Sequence, residues 1–173
     1  MLNVQIKLQM IIRSIREDDL PIRVSWMNHP NVYSTMHYDI PVVLEKTVSW
    51  FRQNRDNNNR ADLVFEDQGK LVAMGGLTAI DRSIGKAELY IFVDPFFRSK
   101  GIGTIATKEL CRYGFETIGL NKIYLVTNES NIPAQKVYEK VGFKLEGRLR
   151  AETIVAGQVE DRLYYGLLKN ELL

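Results

Sequence analysis

The chain has 173 residues, 45% of them hydrophobic, with 23 basic and 21 acidic side chains and a formal net charge of +2. That length buries a core without a metal or disulfide staple, and so even a charge balance argues against nucleic acid, which wants a clustered basic face. The lone Cys111 excludes an internal disulfide, no run approaches a membrane-spanning length, and Met1 to Met10 lacks the basic head and apolar core of a signal peptide; a single cytoplasmic domain over residues 1–173, with no membrane partner, is expected.

Val4, Ile6, Leu8, Met10 and Ile12 alternate with mostly polar neighbours, the period of a half-buried strand. Asp18-Asp19-Leu20-Pro21 then starts a helix, with acidic residues before it and proline in its first turn. It carries Ile22, Val24 and Trp26 and breaks near Asn28-His29-Pro30. A second helix fits Val43 to Arg55 and ends at Asn57-Asn58-Asn59. Arg52, Arg55 and Arg60 form a local basic cluster, but Asp56 and Asp62 interrupt it, so it reads as a solvated surface.

Ala61 to Glu66 and Leu71 to Ile80 read as a hairpin around Gln68-Gly69. Gly75-Gly76 inside the second strand signals a bulge or a close backbone approach. After a turn at Asp81 to Gly85, Lys86 to Val93 is a further strand, ended by Asp94-Pro95. A helix follows from about Ile102 to Thr117, then a β-branched strand over Asn121 to Thr127. The next helix, Ile132 to Lys140, has Asn131 as its cap and Pro133 early in its first turn, and stops at Gly142. Phe143 to Thr153 and Glu160 to Leu168 close the chain as two strands around Gly157. Helices alternating with strands only in the second half argue for a mixed α/β fold, a mixed sheet with helices packed on it.

The run Arg98-Ser99-Lys100-Gly101-Ile102-Gly103-Thr104 joins a strand to a helix. Backbone N–H groups converge in such a turn, and the positive end of the helix dipole adds to them, which suits a phosphate. Read alone, the same turn also suits a tight connection without a ligand. It is not a P-loop, since no Lys-Ser or Lys-Thr follows the glycines. It also comes too late in the chain for a dinucleotide fold and lacks the acidic residue expected after the next strand.

Three features together resemble the GNAT family of N-acetyltransferases. Arg98 to Gly103 matches the family's acetyl-CoA signature: Arg or Gln, two residues, Gly, one residue, Gly or Ala. Asn131-Ile132-Pro133-Ala134-Gln135-Lys136-Val137-Tyr138-Glu139-Lys140-Val141-Gly142-Phe143 matches its N-x-x-A-x-x-x-Y-x-x-x-G-F block. The order of elements fits the family over essentially the whole chain. The resemblance implies a twisted mixed sheet of about seven strands, splayed between the fourth and fifth and flanked by about four helices, with acetyl-CoA as cosubstrate in the splay and no metal. By carry-over, amides from Ser99 to Thr104, with Arg98 at the head of the motif, would take the pyrophosphate. Ile91, Phe92 and Val93 would pair with the pantetheine arm, and Asn131 and Ala134 would border it. Tyr138 matches the tyrosine placed near the thioester sulfur.

The implied reaction is direct attack of an amine on the thioester carbonyl. It requires alignment of the two substrates, stabilisation of the carbonyl oxygen by an N–H near Val93, and two proton movements. Tyr138 is typed as the acid for the leaving thiolate; its structural alternative is a core tyrosine on an amphipathic helix. Glu88, a charge in an otherwise apolar strand, is the candidate base; its structural alternative is an ion pair or a substrate-orienting contact. His29 and His37 lack a third ligand at useful spacing, which argues against a metal. Trp26, Asn28, His29, Tyr33, Met36 and Tyr38 form the expected acceptor wall, or alternatively a packed loop with aromatic anchors.

The acceptor is less legible. The C-terminal half, through Gly147, Arg150, Gly157 and Gln158, resembles acetyltransferases for polyamines such as spermidine and for ribosomal-protein N-termini. Ser25 to Pro30, with Met36, Glu45, Trp50 and Phe51, resembles those for nucleotide-linked amino sugars. A polyamine would want acids such as Asp39, Glu45, Glu88 and Glu152, which are not clustered in sequence. The partner expected is thus a small amine, an amino sugar or a protein N-terminus. The chain ends are compatible with a homodimer. A non-catalytic acyl-CoA-binding or regulatory module on the same fold would keep the glycine turn and need neither Tyr138 nor Glu88.

Overall fold

In the computed structural model, which describes residues 10–96 and 101–173, the chain forms a seven-stranded sheet in the order β1-β2-β3-β4-β5-β7-β6. The strands are β1 (Met10–Ser14), β2 (Ala61–Asp67), β3 (Lys70–Asp81), β4 (Lys86–Val93), β5 (Lys122–Asn128), β6 (Lys144–Val155) and β7 (Gln158–Leu168). All neighbours are antiparallel except β4 and β5, which run parallel. The helices are α1 (Leu20–Met27), α2 (Pro30–Tyr33), α3 (Leu44–Asn54), α4 (Ile102–Tyr113) and α5 (Ile132–Val141).

The central strands are covered on both faces, which is why Val72 to Leu77 reads as an unbroken apolar run and not as an alternation. On one face Leu63, Phe65, Leu77 and Leu89 pack with Ile102, Leu110 and Phe115 of the α4 segment. On the other, Val64, Met74 and Phe92 pack with Trp26 of α1 and Val32 of α2. Each such large side chain taken out of water contributes about 2 kcal/mol. Arg23 of α1 is buried in the second layer, its guanidinium 4.8 Å from the Trp50 ring centroid and 5.3 Å from that of Phe92.

The observed elements follow the expected order, with local differences. Residues 1–9, which hold most of the first expected strand, lie outside the described residues. The break at Asn28-His29-Pro30 is followed by α2, a short helix that the break concealed: the His29 side chain accepts from the Asn31 N–H, and Pro30 opens the first turn. The helix expected to reach Thr117 turns π-helical from Gly114 to Ile118. Gly75-Gly76 is a close approach and not a bulge. The β3–β4 register runs unbroken from Ala73 to Thr78, and a Cβ on Gly76 would collide with the Ala61 carbonyl oxygen. The irregularities of β3 lie elsewhere, opposite Phe65/Glu66 and at Thr78/Asp81. Arg52 and Arg55 pair with Glu17 and Asp56 on the exposed surface expected of them, but Arg60 departs from it: it pairs with largely buried Asp62 and lies over the Trp50 ring.

Among the described residues, no helix is long and apolar enough to cross a membrane, and no trio of His, Cys, Asp or Glu is grouped to hold a metal ion.

Candidate active site

The parallel pairing of β4 with β5 covers only Lys86↔Lys122, Ala87↔Ile123 and Glu88↔Tyr124. Beyond it, β4 stays with β3 through Val93, and β5 stays with β7 through Asn128. The sheet therefore opens into a fork at Glu88, and the β4 edge from Leu89 to Val93 has no strand partner on that side among the described residues. Unpaired backbone N–H and C=O groups of this kind call for water or a ligand with alternating donors and acceptors.

The fork leads into a cavity of about 810 Å³, in the size range of a cofactor site. Its lining brings together Glu88, Ile91, Phe92, Val93, Gly101, Ile102, Gly103, Thr104, Asn131, Ala134 and Tyr138. Arg98, Ser99 and Lys100, the first half of the glycine turn, lie outside the described residues. Gly101 caps α4 in the left-handed region at φ 70°, which glycine adopts at no steric cost. The amides opening α4 have no partner within the helix and meet the cavity mouth, the arrangement that binds an anion. Gly103 sits between the end of β4 and α5: a Cβ there would lie 3.8 Å from Val93 Cγ1 and from Val137 Cγ2.

Tyr138 projects from α5 with its ring edge-on to Phe143 and tilted against Tyr165, at centroid distances of 5.8 and 6.2 Å. Burial pushes its phenol up to about 12, so it stays protonated at neutral pH. Asn131 is the α5 cap; its Oδ1 accepts from the Ala134 N–H at 3.3 Å. Glu88 shares the α1 side of the sheet with Tyr90 and Phe92, while Tyr138 belongs to the α4–α5 side. The two candidate proton carriers thus reach one cavity from opposite faces of the fork. Tyr124, paired with Glu88 across the last rung, has its phenol raised by burial and then by the Glu88 carboxylate beside it.

The expected acceptor wall divides. Met36 lines the cavity; Trp26, Asn28, His29, Tyr33 and Tyr38 do not. Trp26 is 4% exposed and meets Phe92 edge-on at 6.4 Å. Asn28 exchanges two 2.8 Å hydrogen bonds with the Val42 backbone. His29 caps α2 and stands edge-on to Phe96 at 5.0 Å. Tyr38 donates to the Met27 carbonyl at 2.7 Å, and burial raises its phenol to about 12. These side chains build the segment that walls the cavity, while Asn31, Thr35 and His37 of the same segment face in. Of the acids considered for a polyamine, Glu88 lines the cavity and Asp39, Glu45 and Glu152 do not.

Two further groups carried no local signal in the sequence. His37 Nε2 donates to Oδ1 of buried Asn128 at 2.9 Å, tying the wall segment to the end of β5. Arg162 of β7 enters the cavity opposite Asn128 in the strand register.

The architecture is thus a mixed seven-stranded sheet forked between β4 and β5, with the start of α4 lining the cavity at the fork. A model of the acetyltransferase (GNAT) domain matches residues 9–144, and the chain belongs to that family. The Bacillus subtilis protein YdaF, provisionally named a ribosomal N-acetyltransferase, is 36% identical over 123 residues, 70% of this chain and 66% of that protein. Spermidine N(1)-acetyltransferase of Escherichia coli K12 is 31% identical over 110 residues, 64% of this chain and 59% of the enzyme. The matches thus span between 59% and 66% of these relatives' own length. Among solved structures, spermidine N-acetyltransferase from Vibrio cholerae, in complex with CoA and spermine, superposes with a TM-score of 0.90 at 25% identity over 94% of this chain and 97% of that one.

Proposed function

We propose that this protein is an acetyl-CoA-dependent N-acetyltransferase acting on the primary amine of a small molecule by direct attack. The observation that carries the reading is the convergence on one cavity of an anion-binding helix start, an unpaired strand edge, a protonated tyrosine and a carboxylate. The helix start would hold the CoA pyrophosphate, and the β4 edge would pair with the amide-bearing pantetheine arm. Glu88 takes a proton from the incoming amine, directly or through water. The amine nitrogen bonds to the thioester carbon, whose oxygen is met by a β4 amide near Val93. The C–S bond then breaks, and Tyr138 supplies the proton that turns the leaving thiolate into CoA thiol.

Cys111 supports direct attack over an acyl-enzyme route. It lies on the buried face of α4, burial raises its thiol, and it does not line the cavity. The names of the spermidine-acetylating relatives favour a small amine over a protein N-terminus. The same reading carries a cytoplasmic setting and a homodimer, the latter favoured by exposed Leu145, Ile154 and Val159 on β6 and β7. The test is thiol release from acetyl-CoA in the presence of polyamines, amino sugars and an N-terminal peptide, with the acetylated product identified by mass. Turnover of a small amine is expected. Acetyl-CoA binding without turnover of any member would instead fit a non-catalytic module.

A further inference from the structure

We infer that Arg162 is the group that selects the acceptor: its guanidinium takes an anionic oxygen, phosphate or carboxylate, carried by the same molecule whose amine is acetylated. This inference deepens the proposed acetyl transfer and rests on it.

Among the described residues Arg162 makes no ion pair, and its Nε lies buried without a hydrogen-bond partner. Its one hydrogen bond is a long one, from a terminal nitrogen to the Val126 carbonyl at 3.4 Å. Other arginines with little exposure are matched. Arg13 holds Asp19 and Glu66, Arg60 holds Asp62, and Arg23 lies among the rings of Trp50, Tyr90 and Phe92. The carboxylates next to Arg162 in sequence are committed elsewhere. Asp161 accepts from Arg148 and from the Ala151 N–H, and Glu160 accepts from the Ser130 backbone and hydroxyl. A desolvated donor with a full charge and no partner is costly unless a ligand completes it.

The position says which ligand. Leu163 and Tyr165 of β7 belong to the core under α4, so strand alternation turns Arg162 to the other face, with Tyr90 and Phe92 of β4. Asn128 and His37 adjoin it there. The α4 start, where the CoA pyrophosphate would sit, is across the fork. Three charged side chains line the cavity among the described residues: Glu88, Asp94 and Arg162. Asp94 accepts from the Phe96 N–H beside the glycine turn, on the donor side. The acceptor half therefore offers one carboxylate, for the reacting amine, and one guanidinium. A polycation would meet that guanidinium as a like charge. An amine with an anionic group would match both ends, with the planar donor fork suited to phosphate or carboxylate.

The experiment measures kcat/KM for matched amines: glucosamine and its 6-phosphate, ethanolamine and phosphoethanolamine, glycinamide and glycine, with spermidine as the polycation. The wild type is expected to prefer the anionic member of at least one pair by tenfold or more, and the pair that responds separates phosphate from carboxylate. Arg162→Gln should erase that preference through KM, bringing kcat/KM for the anionic member down to that of its uncharged mate, while acetyl-CoA still binds. Arg162→Lys, which keeps the charge, should retain part of it and serves if the glutamine variant does not fold. A wild-type preference for spermidine or for the uncharged mates overturns the inference. So does a preference that survives Arg162→Gln, or a loss of acetyl-CoA binding in that variant. If no amine turns over, the acetyltransferase reading fails separately. Calorimetric titration of glucosamine 6-phosphate and of glycine into the CoA-loaded protein then decides: binding lost in Arg162→Gln upholds the inference, and no binding to the wild type refutes it.

Discussion

In the proposed reaction Tyr138 and Glu88 divide the proton work, and each role predicts a different kinetic trace. Replacing the Tyr138 hydroxyl in Tyr138→Phe removes the proposed acid for the thiolate and leaves the ring packing against Phe143 and Tyr165 in place. We expect kcat to fall by about 10²- to 10³-fold with a KM for acetyl-CoA within a few-fold of the wild type. Because the phenol is pushed up to about 12, its ionisation should not lower the wild-type kcat up to pH 10. A loss of rate in that range, absent from Tyr138→Phe, would contradict the raised phenol, and an unchanged kcat in Tyr138→Phe would contradict the acid role. Glu88→Gln should lower kcat by about 10²-fold near neutrality, and the deficit should shrink towards pH 10 as amines deprotonate unaided. A deficit that stays constant across that range would place Glu88 in a positioning role. Tyr138 was legible because its signal is local, lying within one helix block, and Glu88 because a lone acid interrupts an apolar strand. Arg162 and His37 were not, since each acquires its neighbours from segments far away in sequence.

At the level of elements, glycines in the fork region differ in what they make room for. Gly76 allows β2 and β3 to approach within a distance that any Cβ would block. Gly76→Ala should therefore lower stability by about 2–4 kcal/mol, seen as a melting temperature lower by several degrees. Gly103 has ordinary van der Waals room towards Val93 and Val137. Gly103→Ala should melt within about 2 °C of the wild type, since alanine is the better helix former. Equal destabilisation by both substitutions would mean that the α4 start packs more tightly than described. The wall segment shows why the acceptor side was harder to read. Its residue types suit either packing or binding, and the short α2 turn decides which side chains face in. His29 is spent on capping that turn and Asn28 on clamping Val42, which leaves Asn31, Thr35 and His37 towards the cavity.

For the molecule as a whole, stability should fail first on the alkaline side. Burial holds Tyr38, Tyr90 and Tyr138 at about 12 and raises the Cys111 thiol. In the unfolded chain a tyrosine titrates near 10 and a cysteine near 8.5, so above about pH 9 the unfolded state releases protons that the native state keeps. Stability contributed by these raised groups is complete below the unfolded values and is lost as pH rises towards the folded ones. Each pH unit of gap is worth about 1.4 kcal/mol per group. The melting temperature should be nearly flat from pH 7 to 9 and fall steeply by pH 11, with a smaller fall in Tyr38→Phe. A melting temperature unchanged to pH 11 would contradict the burial of these groups. Towards acid the balance is different for Asp19. Its burial opposes ionisation, but hydrogen bonds from Arg13 and the Arg16 N–H hold its carboxyl below the usual range. The tie among β1, β2 and the start of α1 therefore persists until pH drops well below that range.

The sequence by itself determined the order of the strands and of every helix but the short α2, the glycine turn after β4 and the asparagine-to-tyrosine block of α5. These depend on periodicity, caps and turns that act within a few residues of one another. Only the tertiary structure decided where β4 and β5 part, which residues of the α1–α2 segment face the cavity, and that Arg162 stands there without an ion pair among the described residues. Those outcomes depend on strand register and on packing between segments far apart along the chain. A side chain's face and partners are set there by which strand lies alongside it, and its neighbours in sequence do not reveal that strand.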